Sequence, residues 1–328
     1  MSAAARDTAA PVHTGAPGAG LRSPAAASRT IELLGDAWSW LVMREAVLDG
    51  VCRFDDFQRR LGIARSTLAA RLDRLVTARL LVHRPDPGQG SASVYALTVR
   101  GRDLFGCLMA AMRWGDDFGG DGPRPRPLVH LGCGQSLDAE LVCAACNTPL
   151  RAREVQVRRV GMDPPVPPRA VRARTPELSL LERRRPCSIA RTLKVTGDRW
   201  SSLILRAAFL GVRRFDNFQR ELGIAANILS QRLDRLVDIG VLVRRRYSER
   251  PPRDEYLLSD KGLALYPFYL AMVAWGDRWL TRSDDERTLA LEHRTCGHLV
   301  DPGLVCGYCR MPVGPGDIAR DPGEAGQP

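Results

Sequence analysis

The chain carries the same message twice. Gly35-Asp36-Ala37-Trp38 returns as Gly197-Asp198-Arg199-Trp200, 162 positions later. RFDDFQRRLGIA at 53–64 returns as RFDNFQRELGIA at 214–225, now 161 positions on after a one-residue deletion. RLDRLV at 71–76 returns at 232–237, and Trp114-Gly115-Asp116 returns as Trp275-Gly276-Asp277. Cys133, Cys143 and Cys146 return as Cys296, Cys306 and Cys309 at an offset of 163. Two long repeats, and only two, argue for tandem domains rather than a solenoid, whose periods are far shorter.

The chain has 328 residues, enough for about two or three domains. The segments outside the repeats read as unstructured. Residues 1–23 are Ala/Gly/Pro-rich and expected to be disordered, 161–180 form a Pro/Arg-rich linker, and 321–328 a loose tail. Between them lie a first module, 24–120, with a Cys/His segment, 121–160, and a second module, 181–282, with its own, 283–320.

Basic residues number 48 against 37 acids, a formal +11, and only Lys194 and Lys261 among them are lysines. That balance favours an anionic partner, nucleic acid first and a membrane surface second. It is diluted by the ten arginines and four acids of 151–185, which put more than half of the net charge between the modules. No apolar run approaches the roughly 20 residues of a membrane span. The N-terminus has no basic start followed by an apolar core, so it does not read as a secretory signal. The expectation is a soluble cytoplasmic protein, in which the nine cysteines are poor candidates for a disulfide framework.

The second repeat sets out the local order. Cys187 to Leu210 is helical in pattern, broken at Gly197-Asp198, where Asp198 suits an N-cap. Asp216 to Leu222 makes a short helix that Gly223 turns. Ala225 to Ile239 makes a longer one, with Ile228, Leu229, Leu233 and Leu236 inward. Val241 to Tyr247 and Glu255 to Ser259 read as two strands around a polar tip. A last helix runs from Lys261 to about Leu280. Helix, helix, turn, helix, hairpin, helix is the order of a winged helix-turn-helix, with Gly223 at the turn where that motif commonly places glycine. The fold class is therefore mainly α with small β wings: two winged helix-turn-helix domains, each followed by a short zinc-ribbon-like segment.

These residues resemble the HxlR-type winged helix-turn-helix regulators of bacteria. The matching pieces are CSIARTLKVTGDRWSSLILRAAFLG at 187–211, RRFDNFQRELGI at 213–224, ILSQRLDRLVDIGVLVRR at 228–245 and PPRDEYLLSDKG at 251–262. The first repeat matches less well: Ala25 stands where Cys187 stands, and its wing lacks the PPR-x-E-Y pattern. The resemblance implies a sequence-specific regulator that binds double-stranded DNA, normally as a homodimer joined through terminal helices. Here one chain supplies both modules, as a covalent pseudo-dimer.

In such a motif the start of the second helix meets base edges while the wing and helix ends hold phosphates. The outward residues there are Ala226, Asn227, Ser230 and Gln231 in the second repeat, with Asn and Gln suited to adenine. The first repeat offers Arg65, Ser66, Thr67, Ala69 and Ala70, and Arg65 suits guanine. Arg71 and Arg232 either contact phosphate or fix helix geometry through an internal pair. The second wing, 244–253, holds Arg244, Arg245, Arg246, Arg250 and Arg253 against Glu249; the first, 83–93, has Arg84 against Asp86. The second module is expected to grip DNA more strongly. The helices Asp103–Phe118 and Lys261–Leu280 are apolar on more than one side, which calls for a partner: each other, or the same helices of a second chain.

After each module comes His-x2-Cys-x9-Cys-x2-Cys: His130, Cys133, Cys143, Cys146, then His293, Cys296, Cys306, Cys309. Four N/S ligands in two close pairs are what a tetrahedral structural zinc takes, and so small a segment needs a staple. Each run is read as one site. The histidine is the least usual ligand, and His298 is an alternative in the second run. Reduced cysteines capping a helix, or a regulatory disulfide, are the competing readings.

Cys187 opens the second module beside Arg183, Arg184 and Arg185, which favour thiolate. It reads either as a redox sensor or as a small buried residue. A redox-responsive regulator and a protein-interaction scaffold with degenerate winged domains are the alternative functions. An enzyme is not expected: the sequence has no nucleophile elbow, P-loop or dinucleotide fingerprint, and no organic cofactor is called for.

Overall fold

The computed structural model describes residues 24–86, 93–120, 125, 127–159, 186–281 and 289–321. The expected disordered N-terminus (1–23), the linker (161–180) and all but the first residue of the tail (321–328) lie outside them.

The first module runs α1 (Pro24–Leu34), α2 (Ala37–Asp49), α3 (Phe54–Leu61), α4 (Arg65–Thr77), the hairpin β1 (Leu81–Pro85) and β2 (Ser93–Leu97), α5 (Val99–Arg102) and α6 (Phe105–Phe118). Its Cys/His segment holds β3 (Leu128–His130), β4 (Ala139–Cys143) and β5 (Val155–Arg159). The second module repeats the order: α7 (Ser188–Thr196), α8 (Arg199–Phe209), α9 (Phe215–Leu222), α10 (Ala226–Asp238), β6 (Leu242–Glu249), β7 (Pro252–Leu258), α11 (Asp260–Leu263) and α12 (Tyr266–Trp279). Then come β8 (Leu289–His293), β9 (Pro302–Cys306) and β10 (Ile318–Arg320).

The shared motifs have local causes. Asp36 and Asp198 N-cap α2 and α8, accepting from the backbone N–H of Ser39 and Ser201 at 3.1 and 3.0 Å. Gly62 and Gly223, at φ 61° and 59°, close α3 and α9 in the left-handed conformation and turn the chain into the next helix. Leu68, Leu72 and Leu75 on α4, and Leu229, Leu233 and Leu236 on α10, form the buried stripes that seat these helices.

The last helix of each module is split, where the sequence pattern reads as continuous. The Oγ1 of Thr98 caps α5 through the Gly101 N–H at 3.0 Å, and Ser259 does the same for Gly262. A Cβ on Gly101 would lie 2.1 Å from the Leu80 carbonyl oxygen. This short first turn is pinned to the root of the wing, and the helix restarts beyond it.

The two modules share one continuous core, and their pairing is crossed. The first helix of each packs on the last helix of the other: α1 on α12 and α7 on α6, with α6 and α12 also in contact. The repeated Trp-Gly-Asp explains why. A Cβ on Gly115 would fall 1.9 Å from the Ser188 carbonyl oxygen, and one on Gly276 2.5 Å from that of Ala26; only glycine lets these backbones approach. Trp114 Nε1 donates to the Lys261 carbonyl and Trp275 Nε1 to that of Arg100, both at 3.0 Å. Thr192 donates to Ala111 and Thr30 to Met272 in the same mirrored fashion. Asp36 and Asp198 meet in an antiparallel bridge, with Ala37 N–H donating to the Gly197 carbonyl at 3.1 Å. The apolar surplus on the terminal helices is thus covered within the chain.

The Cys/His segments are crossed too. Each of their three strand pairs joins one repeat to the other: β3 with β10, β4 with β9, and β5 with β8, all antiparallel.

Candidate nucleic-acid interface and candidate metal centres

The helices α4 and α10 present their opening turns outward. Arg65, Ser66, Ala69 and Ala70 are exposed on α4, as are Ala226, Asn227, Ser230 and Gln231 on α10; Thr67 and Ile228 are half-buried. Arg65 leans back over the Phe54 ring, 4.7 Å from its centroid, with Asp55 3.6 Å away. Ser230 Oγ donates to Asp234 at 3.4 Å.

Arg71 and Arg232 are half-buried and turned inward. Their Nε atoms donate to the N-cap carboxylates Asp36 and Asp198 at 2.8 and 3.0 Å. Each therefore ties its reading helix to the start of the module's second helix, and the internal pair is the role the geometry gives them.

The charge of the second wing is less one-sided than the count over 244–253 implies. The hairpin register sets Arg245 opposite Glu255 and Arg246 opposite Asp254. Arg245 donates twice to Glu255, at 2.8 and 2.6 Å, Arg246 donates to Asp254 at 2.6 Å, and Arg244 pairs with Asp234 from α10. Antiparallel pairing brings in acids that lie just past the window. Arg250 and Arg253 at the tip are exposed and make no ion pair among the described residues. Two further exposed arginines, Arg213 and Arg214, adjoin this wing: the Arg213 carbonyl accepts from Tyr256 N–H, and Arg214 stacks 4.4 Å from the Tyr247 centroid. Their signal was the Arg-Arg pair ahead of α9, where the first repeat has Cys52-Arg53. In the first wing Arg84 is exposed, Asp86 is held by Arg53 at 2.7 Å, and residues 87–92 lie outside the described set.

The eight Cys/His residues form two tetrads, but not the two that spacing along the chain suggests. His130 and Cys133 join Cys306 and Cys309; Cys143 and Cys146 join His293 and Cys296. The strand pairing is the reason, since it carries each half-ribbon to the far half of the other repeat. Sequence order alone gives no sign of a crossed pairing. In the first tetrad His130 Nδ1 lies 3.3 Å from Cys133 Sγ and 3.4 Å from Cys309 Sγ, and Cys133 Sγ lies 3.9 Å from Cys306 Sγ. In the second, His293 Nδ1 is 3.4 Å from both Cys146 and Cys296, and Cys143 Sγ is 3.9 Å from Cys296 Sγ. Each knuckle closes on a residue with positive φ: Gly134, Asn147, Gly297 and Arg310. Both histidines are buried, and His293 Nε2 has no hydrogen-bond partner among the described residues. His298 is exposed, hydrogen-bonded to the Cys296 carbonyl, and outside the tetrad. Burial raises the Cys143 thiol to about 11. Cys146, despite some burial, is drawn down to about 6 by the Thr148 hydroxyl and N–H and by neighbouring thiols. Both sets are competent to hold a metal ion.

Cys187 is buried at the module interface. Its Sγ caps α7, accepting from Ala190 N–H at 3.3 Å, and accepts from Arg44 of the other module at 2.7 Å. Arg44 also pairs with the fully buried Glu45, which Arg60 reaches at 3.3 Å. Burial alone would weaken the Arg44 charge, but Cys187 and Glu45 beside it hold its pKa above the ordinary value. The neighbouring Arg183, Arg184 and Arg185 lie outside the described residues.

The described helices include none long and apolar enough to cross a membrane. The sequence profile of the HxlR-like helix-turn-helix family matches residues 33–122 and 195–284, more than half of the chain. An uncharacterized HTH-type transcriptional regulator of Mycobacterium tuberculosis is 40% identical over 136 residues, 42% of this chain and 85% of that protein. One from Mycobacterium bovis matches to the same extent. The uncharacterized HTH-type transcriptional regulator YdeP of Bacillus subtilis is 32% identical over 99 residues, 30% of this chain and 77% of that protein. The family and these relatives are of transcriptional regulators, not enzymes.

Proposed function

The chain belongs to the HxlR-like helix-turn-helix family and is a DNA-binding transcriptional regulator of that type; from this premise we propose that it acts as a covalent pseudo-dimer reading two unlike half-sites. The observation that carries the proposal is the mirrored interface. Trp114 with Lys261 and Trp275 with Arg100, and Thr192 with Ala111 and Thr30 with Met272, are the reciprocal contacts two identical subunits would make about a two-fold axis. Here both sides come from one chain. The Mycobacterium tuberculosis relative, matched over 85% of its length by 42% of this chain, is the length of one repeat, which supports the same reading.

The two heads differ where they face outward. Arg65, Ser66, Thr67, Ala69 and Ala70 in one become Ala226, Asn227, Ile228, Ser230 and Gln231 in the other, while the buried leucines are kept. Arg65 serves guanine, and Asn227 and Gln231 serve adenine. Wing arginines, Arg250 and Arg253 foremost, hold phosphates; Arg244 and Arg246 reach them by exchanging more exposed ion pairs of small worth, while Arg245, held twice by the buried Glu255, contributes less. The two Cys/His tetrads are structural zinc sites with closed shells.

A titration of protein into a duplex carrying one operator tests the pseudo-dimer. One chain per duplex is expected, with both half-sites protected together. Two chains per duplex, each occupying one half-site, would overturn it.

A further inference from the structure

We propose that each zinc ion is held jointly by the two repeats, so that the metals staple the halves of the chain to one another. The inference rests on reading the tetrads as zinc sites and adds which residues share an ion. One site takes His130 and Cys133 from the first repeat with Cys306 and Cys309 from the second. The other takes Cys143 and Cys146 from the first with His293 and Cys296 from the second.

The geometry fits the metal. Bonds of about 2.3 Å to sulfur and about 2.0 Å to nitrogen in a regular tetrahedron separate two sulfurs by about 3.8 Å and sulfur from nitrogen by about 3.5 Å. The edges found are 3.9 Å for sulfur pairs and 3.3 to 3.4 Å for sulfur to Nδ1. All four donors of a set lie within 4.8 Å of one another. Both histidines turn the same nitrogen inward.

The backbone enforces the crossing. His130 on β3 lies opposite Ile318 on β10, and His293 on β8 opposite Val155 on β5. Ala144 N–H donates to the Asp301 carbonyl, and Gly307 N–H to that of Asp138, at 2.8 and 2.7 Å. Among the described residues β3, β4, β8 and β9 each make a single bridge within their own repeat, Val129–Ser136, Val142–Pro149, Glu292–Leu299 and Val305–Pro312, and every pairing of one named strand with another runs to the other repeat. A single ribbon therefore has neither its sheet partners nor a full ligand set until the other arrives. The joined unit also reaches both reading modules. Arg113 of α6 meets Asp138 at 2.9 Å and Arg320 of β10 meets Asp49 of α2 at 2.6 Å, while Arg153 meets Asp260 of the second module at 3.0 Å. Metal binding thus becomes a term in holding the two heads together.

Two double variants of the full chain separate crossed from in-line pairing. Each is loaded with zinc, challenged with a chelator of moderate affinity, and its retained zinc counted; cobalt loading reports thiolate coordination, and circular dichroism reports folding. Wild type should retain two ions. Crossed pairing predicts that C133S/C306S damages one tetrad twice and keeps one ion, whereas C133S/C143S weakens both tetrads and keeps none. The reverse pattern overturns the crossing while leaving the zinc reading intact. Loss of both ions from C133S/C306S also overturns it, because the second tetrad is untouched there. Wild type that takes up neither zinc nor cobalt overturns the zinc reading itself. The mirrored variant C143S/C296S should again keep one.

Discussion

The two repeats agree at most residues that set geometry and differ most where the reading helices face outward. Across 53–82 and 214–243 they share 19 of 30 positions. Leu61/Leu222, Gly62/Gly223, Leu68/Leu229 and Leu72/Leu233 are kept, and so is the Arg71–Asp36 tie that returns as Arg232–Asp198. Five of the eleven changes crowd into the first turns of the reading helix, four of them fully exposed. The wings diverge as well: 244–253 carries five arginines against Glu249, where 83–93 carries Arg84 against Asp86. One buried corner also differs. Cys187 faces Arg44, which is backed by Glu45; in the mirrored corner the corresponding residues are Ala25, Arg206 and Ala207. A pair of identical chains has to carry every such change on both sides. A fused pair is free to hold one scaffold and let its two reading faces part.

That comparison breaks most sharply at the paired glycines, which are kept because the scaffold needs them. Gly115→Ala puts a methyl group into the Ser188 carbonyl and Gly276→Ala into that of Ala26, neither of which is a flexible side chain. Each should lower stability in thermal or denaturant unfolding by about 1–3 kcal/mol or more, with Gly115 the more severe. Unchanged unfolding in both variants would mean that the modules do not meet through these helices.

A smaller effect sharpens the comparison at the wings. Replacing Arg250 and Arg253 by alanine should weaken binding about equally across DNA sequences and lower the slope of log affinity against log salt by up to about 1.8, that is about 0.9 per phosphate contact. Arg84→Ala in the first wing should change the slope by about half as much or less. Equal slopes for the two wings would remove the claimed asymmetry of grip.

Much of this was legible in the sequence because repetition exposes constraint. Asp36/Asp198 as N-caps, Gly62/Gly223 as turns and the buried leucine stripes all follow from local spacing. The surplus apolar face of the terminal helices correctly called for a partner. What could not be read was contact across distance. The spacing of His130, Cys133, Cys143 and Cys146 suits one metal as well as it suits halves of two, and only the strand pairing decides between them. The acids that temper the second wing, Asp254, Glu255 and Asp234, come from a facing strand and a neighbouring helix. The Arg44–Cys187 contact joins residues 143 positions apart, and neither residue carries a local cue for the other.

The central claim is that one chain brings two different readers to one operator, and selection of bound sites from a random DNA pool tests it most directly. Identical readers related by a two-fold axis copy that symmetry onto the DNA; unlike readers do not. The expected motif is non-palindromic, with guanine favoured in the half-site that loses specificity on Arg65→Ala and adenine in the half-site that loses it on Asn227→Ala with Gln231→Ala, the two centres roughly one or two helical turns apart. A clean palindrome, unchanged by Arg65→Ala, would contradict it: the first head would then be silent, and two chains would be meeting through their second modules.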